Sequence, residues 1–142
     1  MAVVSGERRF EATPERVFAL LIDPDIVVAA MPAVHSHRAL GPDTWEARVK
    51  APFPFAPSVA IRFEVVDKQP FRHATMRAHG PGADVSSTFD LEADGSATVM
   101  RWQTELHLHG LLGVFAVAGL DAIARKQAER SLDAVERALG AG

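Results

Sequence analysis

Two rhythms divide this chain. Between His35 and His109 apolar and polar residues alternate in steps of two, the period of a half-buried strand; toward both ends apolar residues recur in steps of three and four. The cleanest alternation sets Val59, Ile61, Phe63 and Val65 against Ala60, Arg62 and Glu64. Val85, Ser87, Phe89 and Leu91 repeat it, as do Met100, Trp102, Leu106 and Leu108 within Thr98–His109. Further strands are expected over Val3–Ala12, His35–Leu40, Thr44–Ala51 and Phe71–His79. Gly41-Pro42-Asp43, Lys68-Gln69-Pro70 and Asp94-Gly95 supply turns between them. The three prolines of Ala51–Pro57 predict an extended loop or edge, because proline cannot donate to a sheet ladder.

Helix starts are written twice near the amino end. Thr13-Pro14-Glu15 places a capping hydroxyl, a proline in the first turn and an acid near the positive end of the dipole. The helix it opens carries Val17, Phe18, Leu20 and Leu21. Asp23-Pro24 repeats the grammar for a second short helix that Met31-Pro32 closes. Leu111 to Leu139 reads as one long helix, with Gly113 and Gly119 as small gaps. In its second half Ile123, Ala124, Ala128, Leu132, Val135 and Leu139 recur against Arg125, Glu129, Asp133 and Arg137. The order is strand, two short helices, about six further strands and a long helix, an α+β arrangement read as a single domain over 1–142. A terminal helix closing over an antiparallel sheet makes a container, and a container suggests binding.

Composition narrows the chemistry. The 142 residues include no cysteine, which removes thiol catalysis, disulfides and cysteine-held zinc. A net charge of −3 with well-mixed signs, and no basic stripe, argues against nucleic acid. No charged-then-apolar leader opens the chain, and Asp121 and Arg125 interrupt the apolar run at 111–120. A cytoplasmic location without a transmembrane segment is therefore expected, with peripheral membrane contact left open.

Histidine is the first candidate for chemistry. His35 and His37, and His107 and His109 with Glu105, each share a strand face in a spacing that could ligate zinc or copper. Alternation puts the second pair opposite Trp102, Leu106 and Leu108, on the solvent side, so no metal or other cofactor is expected. Acid–base catalysis needs a titratable group inside. The inward polar candidates are Ser87, Thr104, Arg8 and Arg72, while Glu46, Glu64, Asp90 and Glu92 fall outward. The inward apolar set comprises Trp45, Val49, Ile61, Phe63, Met76, Val85, Phe89, Met100, Trp102, Leu106, Leu112, Phe115, Leu120 and Ile123, with Gln127 and Ser131 as polar interruptions on the helix. Periodicity alone does not separate a filled core from a cavity.

The order of elements, together with Phe10-Glu11-Ala12-Thr13-Pro14-Glu15-Arg16-Val17-Phe18, Asp23-Pro24, Met31-Pro32-Ala33 and Gly110-Leu111-Leu112-Gly113, resembles the START-like (SRPBCC, or Bet v 1-like helix-grip) superfamily. The nearest likeness is to the carbon monoxide dehydrogenase G-like family, although Ala33 stands where that family usually has glycine. The resemblance implies a curved antiparallel sheet of six to seven strands gripping the last helix around a hydrophobic tunnel. It implies non-enzymatic binding or carriage of a lipid- or quinone-like molecule. Trp45, Phe63, Met76, Ser87, Phe89, Trp102, Thr104, Phe115, Leu120, Ile123 and Gln127 are the residues expected to line that tunnel, and bulk added at Ala47 or Gly119 is expected to obstruct it. Two alternatives stay open: an accessory factor acting through contacts with molybdenum hydroxylase subunits, and a cyclase- or hydrolase-type enzyme. The Phe53/Phe55 loop and Phe115 are candidate membrane contacts.

Overall fold

The computed structural model describes residues 2–31, 33–50, 58–109 and 119–141. Strand β1 (Ala2–Phe10) leads into helices α1 (Pro14–Leu21) and α2 (Pro24–Ala29). Strands β2 (Val34–Gly41), β3 (Thr44–Val49), β4 (Val59–Gln69), β5 (His73–Gly80), β6 (Ala83–Asp94) and β7 (Ala97–Leu108) follow, and helix α3 (Leu120–Ala141) closes the described chain. All seven strands join one antiparallel sheet in the order β1-β7-β6-β5-β4-β3-β2. Six strands meander, and the first strand closes the order by pairing with the last.

The two helix starts differ in how they work. Asp23 caps α2 with its side chain, accepting from the Asp25 N–H at 2.9 Å. Thr13 occupies the equivalent place before α1, but its hydroxyl makes no capping bond; its carbonyl accepts from Arg16 and Val17 at 3.1 and 3.0 Å.

Gly119 changes the reading of the last helix. Its φ of +97° belongs to the left-handed region that favours glycine, so it stands ahead of the first turn rather than as a gap within the helix. Its carbonyl accepts from the Ile123 N–H at 3.1 Å. The expected helix start at Leu111, with Gly113, lies outside the described residues.

Register places side chains in rows across the face that meets α3. Val4, Thr104, Ser87, Met76 and Val65 form one row; Gly6, Trp102, Phe89 and Ala74 form the next. Alternation predicts such rows, because directly opposed residues share a face. Against them α3 turns Ala124, Leu132 and Val135, all buried. Phe10, Val17, Met100 and Val135 are almost wholly enclosed, each contributing roughly 1.5–3 kcal/mol of hydrophobic stabilisation. Polar contacts hold the helix at its flanks: Arg8 donates to Asp133 at 2.9 Å, Arg125 to the Ser5 carbonyl at 3.2 Å, and Arg16 to the Leu139 carbonyl at 3.1 Å. The last of these satisfies a carbonyl that the helix end leaves without an internal partner.

Candidate functional site

Between the sheet and α3 lies a cavity of about 250 Å³. Its floor is the inner face of the central strands: Ile61 and Phe63 from β4, Met76 and Ala78 from β5, Val85, Ser87 and Phe89 from β6, and Trp102 and Thr104 from β7. Its roof is α3, through Gln127, Ala128, Ser131, Leu132 and Val135. Leu20 and Leu21 of α1, with Ile26 and Val27 of α2 and then Met31, form a side wall. Val59, Gly80, Pro81 and Ala83 carry the cavity to one end of the sheet. The space exists because short side chains (Ala78, Ala83, Ser87, Ala128 and Ser131) stand where larger ones would let sheet and helix touch.

Seven of the expected tunnel residues come together around this space: Phe63, Met76, Ser87, Phe89, Trp102, Thr104 and Gln127. Trp45 shares their face but sits behind Phe63, its ring stacked 4.0 Å from the phenyl ring, and does not reach the cavity. The buried Trp45 Nε1–H has no acceptor among the described residues. Leu120 packs partly buried against the core away from the cavity, and Phe115 lies outside the described residues.

Ile123 is a correction. It is 56% exposed, because successive helix residues point about 100° apart and its neighbour Ala124 holds the buried stripe. Ala47 is fully buried beside the cavity rather than on it, and Gly119 also lies off its described wall. Arg8 reaches Asp133 rather than the cavity. Arg72 is exposed in the β4–β5 turn, where strand alternation no longer applies.

The polar groups in the wall are few. Ser87 and Thr104 face each other across β6 and β7, and their hydroxyls are hydrogen-bonded at 2.9 Å. Gln127 Nε2 donates to the Ala30 carbonyl at 3.4 Å, and the Ser131 hydroxyl donates to the Gln127 carbonyl at 3.1 Å. The Ser87–Thr104 pair is therefore the polar point on an otherwise apolar floor. Strand alternation identified both residues, while their register, invisible in one sequence, made them partners.

Gly6 sets the position of one wall. It lies directly opposite Trp102, and a Cβ built on it would stand 2.8 Å from Cζ2 and 3.1 Å from Nε1 of the indole. The indole thus leans over β1 onto bare backbone. Nothing in the hydrophobic pattern marks Gly6; only the register with Trp102 does.

Ionisable groups gather on the opposite face of the sheet. His79 Nδ1 lies 3.0 Å from Asp84, whose other oxygen is 3.1 Å from His109 Nε2, with Glu64 3.5 Å from His79 Nε2. The Asp84 carboxylate raises the His79 pKa, and His79 in turn holds Asp84 below its ordinary value. His73 pairs with Asp90 at 2.7 Å on that same outer face, whereas His37 shares the near face with Ala47 and pairs with Asp25 of α2 at 2.9 Å. Both His73, half-buried, and His79, exposed, thus sit beside a carboxylate but away from the cavity. The His35/His37 and His107/His109 pairs are separated by strands β3 to β6, and the described residues contain no cluster arranged to hold a metal.

Residues 1–140 match the family model described as polyketide cyclase / dehydrase and lipid transport. The chain belongs to that family. No curated protein matches it. Among solved structures, a conserved protein from Geobacillus kaustophilus superposes with a TM-score of 0.77 at 18% identity, covering 97% of this chain and 95% of the other. A START superfamily protein from Mycobacterium smegmatis gives 0.73 at 12% identity, covering 96% and 95%. Ara h 8.0201 gives 0.71 at 11% identity, covering 99% and 100%. At these identities the likeness is one of fold, the START-like helix grip. The family match stands at this broader level and does not extend to the carbon monoxide dehydrogenase G-like grouping. Among the described residues no helix is long and apolar enough to cross a membrane.

Proposed function

We propose that this member of the family binds and carries an apolar small molecule, lipid- or quinone-like in character, within the cavity between sheet and α3, and that it works in the cytoplasm. The observation that carries the reading is the cavity itself, walled by aliphatic and aromatic side chains with one hydroxyl pair on its floor. Ligand sites have this composition: apolar contact supplies affinity and a few polar atoms fix orientation. Acid–base turnover would need a titratable group touching the ligand, and no ionisable residue is among the side chains of the described wall.

The test is to fill the space from its roof. Ala128→Phe adds a ring at a cavity-lining position of α3. Affinity for the apolar fluorophore N-phenyl-1-naphthylamine should drop at least tenfold while the far-ultraviolet circular dichroism stays that of the parent. Unchanged affinity in a folded variant would place binding elsewhere.

The motifs at 10–18, 23–24 and 31–33 favour a second reading, an accessory role beside a molybdenum hydroxylase. Capture of such an enzyme by the tagged chain would support it, and capture that survives Ala128→Phe would separate that role from cargo binding.

A further inference from the structure

We infer that the cavity takes uncharged ligands: a neutral apolar body carrying one hydroxyl or carbonyl oxygen, seated at Ser87 and Thr104, with free carboxylic acids and other anionic amphiphiles rejected. This rests on the binding function proposed above and adds the electrical character of the ligand.

The first support is the charge count of the described wall. None of the side chains of the described wall is Asp, Glu, His, Lys or Arg. Charges close by are placed elsewhere. Alternation sends Arg62, Glu64, Arg77, His79, Asp84 and His107 to the far face of the sheet, and on the near face Arg8 is bound to Asp133 and His37 to Asp25.

The second support is the hydroxyl pair. Its mutual bond of 2.9 Å uses one of two O–H protons, leaving the other hydroxyl able to donate to a ligand oxygen. The pair sits centrally, with Met76 opposite Ser87 on one side and Val4 opposite Thr104 on the other. A neutral oxygen is met there, whereas a carboxylate finds no cation.

A carboxylate enters such a site only after taking up a proton. With an ordinary carboxyl pKa of about 4.3, that requirement weakens binding about 1000-fold at pH 7.5. The penalty shrinks tenfold for each pH unit of acidification.

The experiment compares decan-1-ol and decanoic acid by isothermal titration calorimetry at pH 7.5 and 5.5. Decan-1-ol should bind with the same affinity at both values, which also controls for titration of the outer-face histidines. Decanoic acid should bind about 1000-fold more weakly at pH 7.5 and recover about 100-fold at pH 5.5. In Ser87→Ala, decan-1-ol should lose about fivefold, the scale of one net hydrogen bond, while decane binding stays unchanged. Decanoic acid binding within tenfold of the alcohol at pH 7.5 would overturn the inference and leave the binding function standing. Failure of both compounds and of N-phenyl-1-naphthylamine to bind would instead remove the function on which the inference rests.

Discussion

Replacing Gly6 by alanine adds one methyl group to an edge strand, where the ordinary expectation is a gain. Alanine restricts the unfolded chain and is worth roughly 0.5–1 kcal/mol over glycine inside a strand. Here the new Cβ would meet Trp102 at 2.8, 2.9 and 3.1 Å, against an optimal carbon–carbon separation of about 3.5–4.0 Å. The indole must therefore retreat by roughly 0.7 Å or more, and it lines the cavity. Overpacking of this kind costs about 1–3 kcal/mol, so the clash wins. A net loss of roughly 1–2 kcal/mol corresponds to a fall in Tm of about 3–8 °C for a chain of this size. Scanning calorimetry measures it, and decan-1-ol affinity should weaken in the same variant. The decisive control is the same change in a Trp102→Phe background, which removes the Nε1 and Cζ2 atoms in contact. There Gly6→Ala should become neutral or stabilising. A parent protein that gains stability from Gly6→Ala, or a penalty that persists without the indole, would refute the contact argument.

Other consequences are simpler to check. Asp23→Ala removes a made cap bond and should cost about 1 kcal/mol in urea unfolding, whereas Thr13→Ala, whose hydroxyl caps nothing, should cost only a few tenths. Trp45→Phe deletes a buried N–H without an acceptor. It should stay within about 1 kcal/mol of the parent, far from the 3–5 kcal/mol of a Trp→Ala truncation; a loss above about 2 kcal/mol would show that the N–H is satisfied.

The outer-face cluster sets a pH dependence whose sign follows from its two shifts. His79 is raised above 6.5, so its contribution is complete below that value and is lost as pH climbs through the higher folded pKa. Asp84 is lowered below 3.8, so its contribution is present above that value and lost on acidification through the lower folded pKa. Between these limits the pair is intact. The Tm difference between the parent and Asp84→Asn should be largest there and shrink as pH rises past the raised His79 pKa; a difference constant from pH 5 to 9 would contradict the assignment.

Much of the architecture was legible because two periods carry it. Alternation fixes which residues of β4 to β7 face α3, and it puts Phe63, Met76, Ser87, Phe89, Trp102 and Thr104 on the cavity side. Where alternation stops, the reading fails. Arg72 lies in a turn, and Ile123 sits about 100° off the buried stripe although its hydrophobicity argues otherwise. Trp45 faces the correct side yet is screened by Phe63, a matter of packing depth that no period encodes. In the side wall, Leu20 and Leu21 are legible in the sequence only as apolar positions of a short helix and Met31 only as part of a helix stop, while nothing in the pattern singles out Ile26 and Val27. The wall's approach to the sheet depends on how α1 and α2 turn, which the proline-led caps announce without giving an angle.

Cargo binding stands or falls on whether the cavity holds a molecule. Native mass spectrometry of the purified chain, followed by organic extraction and identification of whatever accompanies it, answers that question. A neutral, oxygen-bearing apolar compound should be found at near-unit occupancy, and Ala128→Phe should release it. A clean apo mass that stays unligated through a panel of neutral lipids and quinones would contradict the proposal.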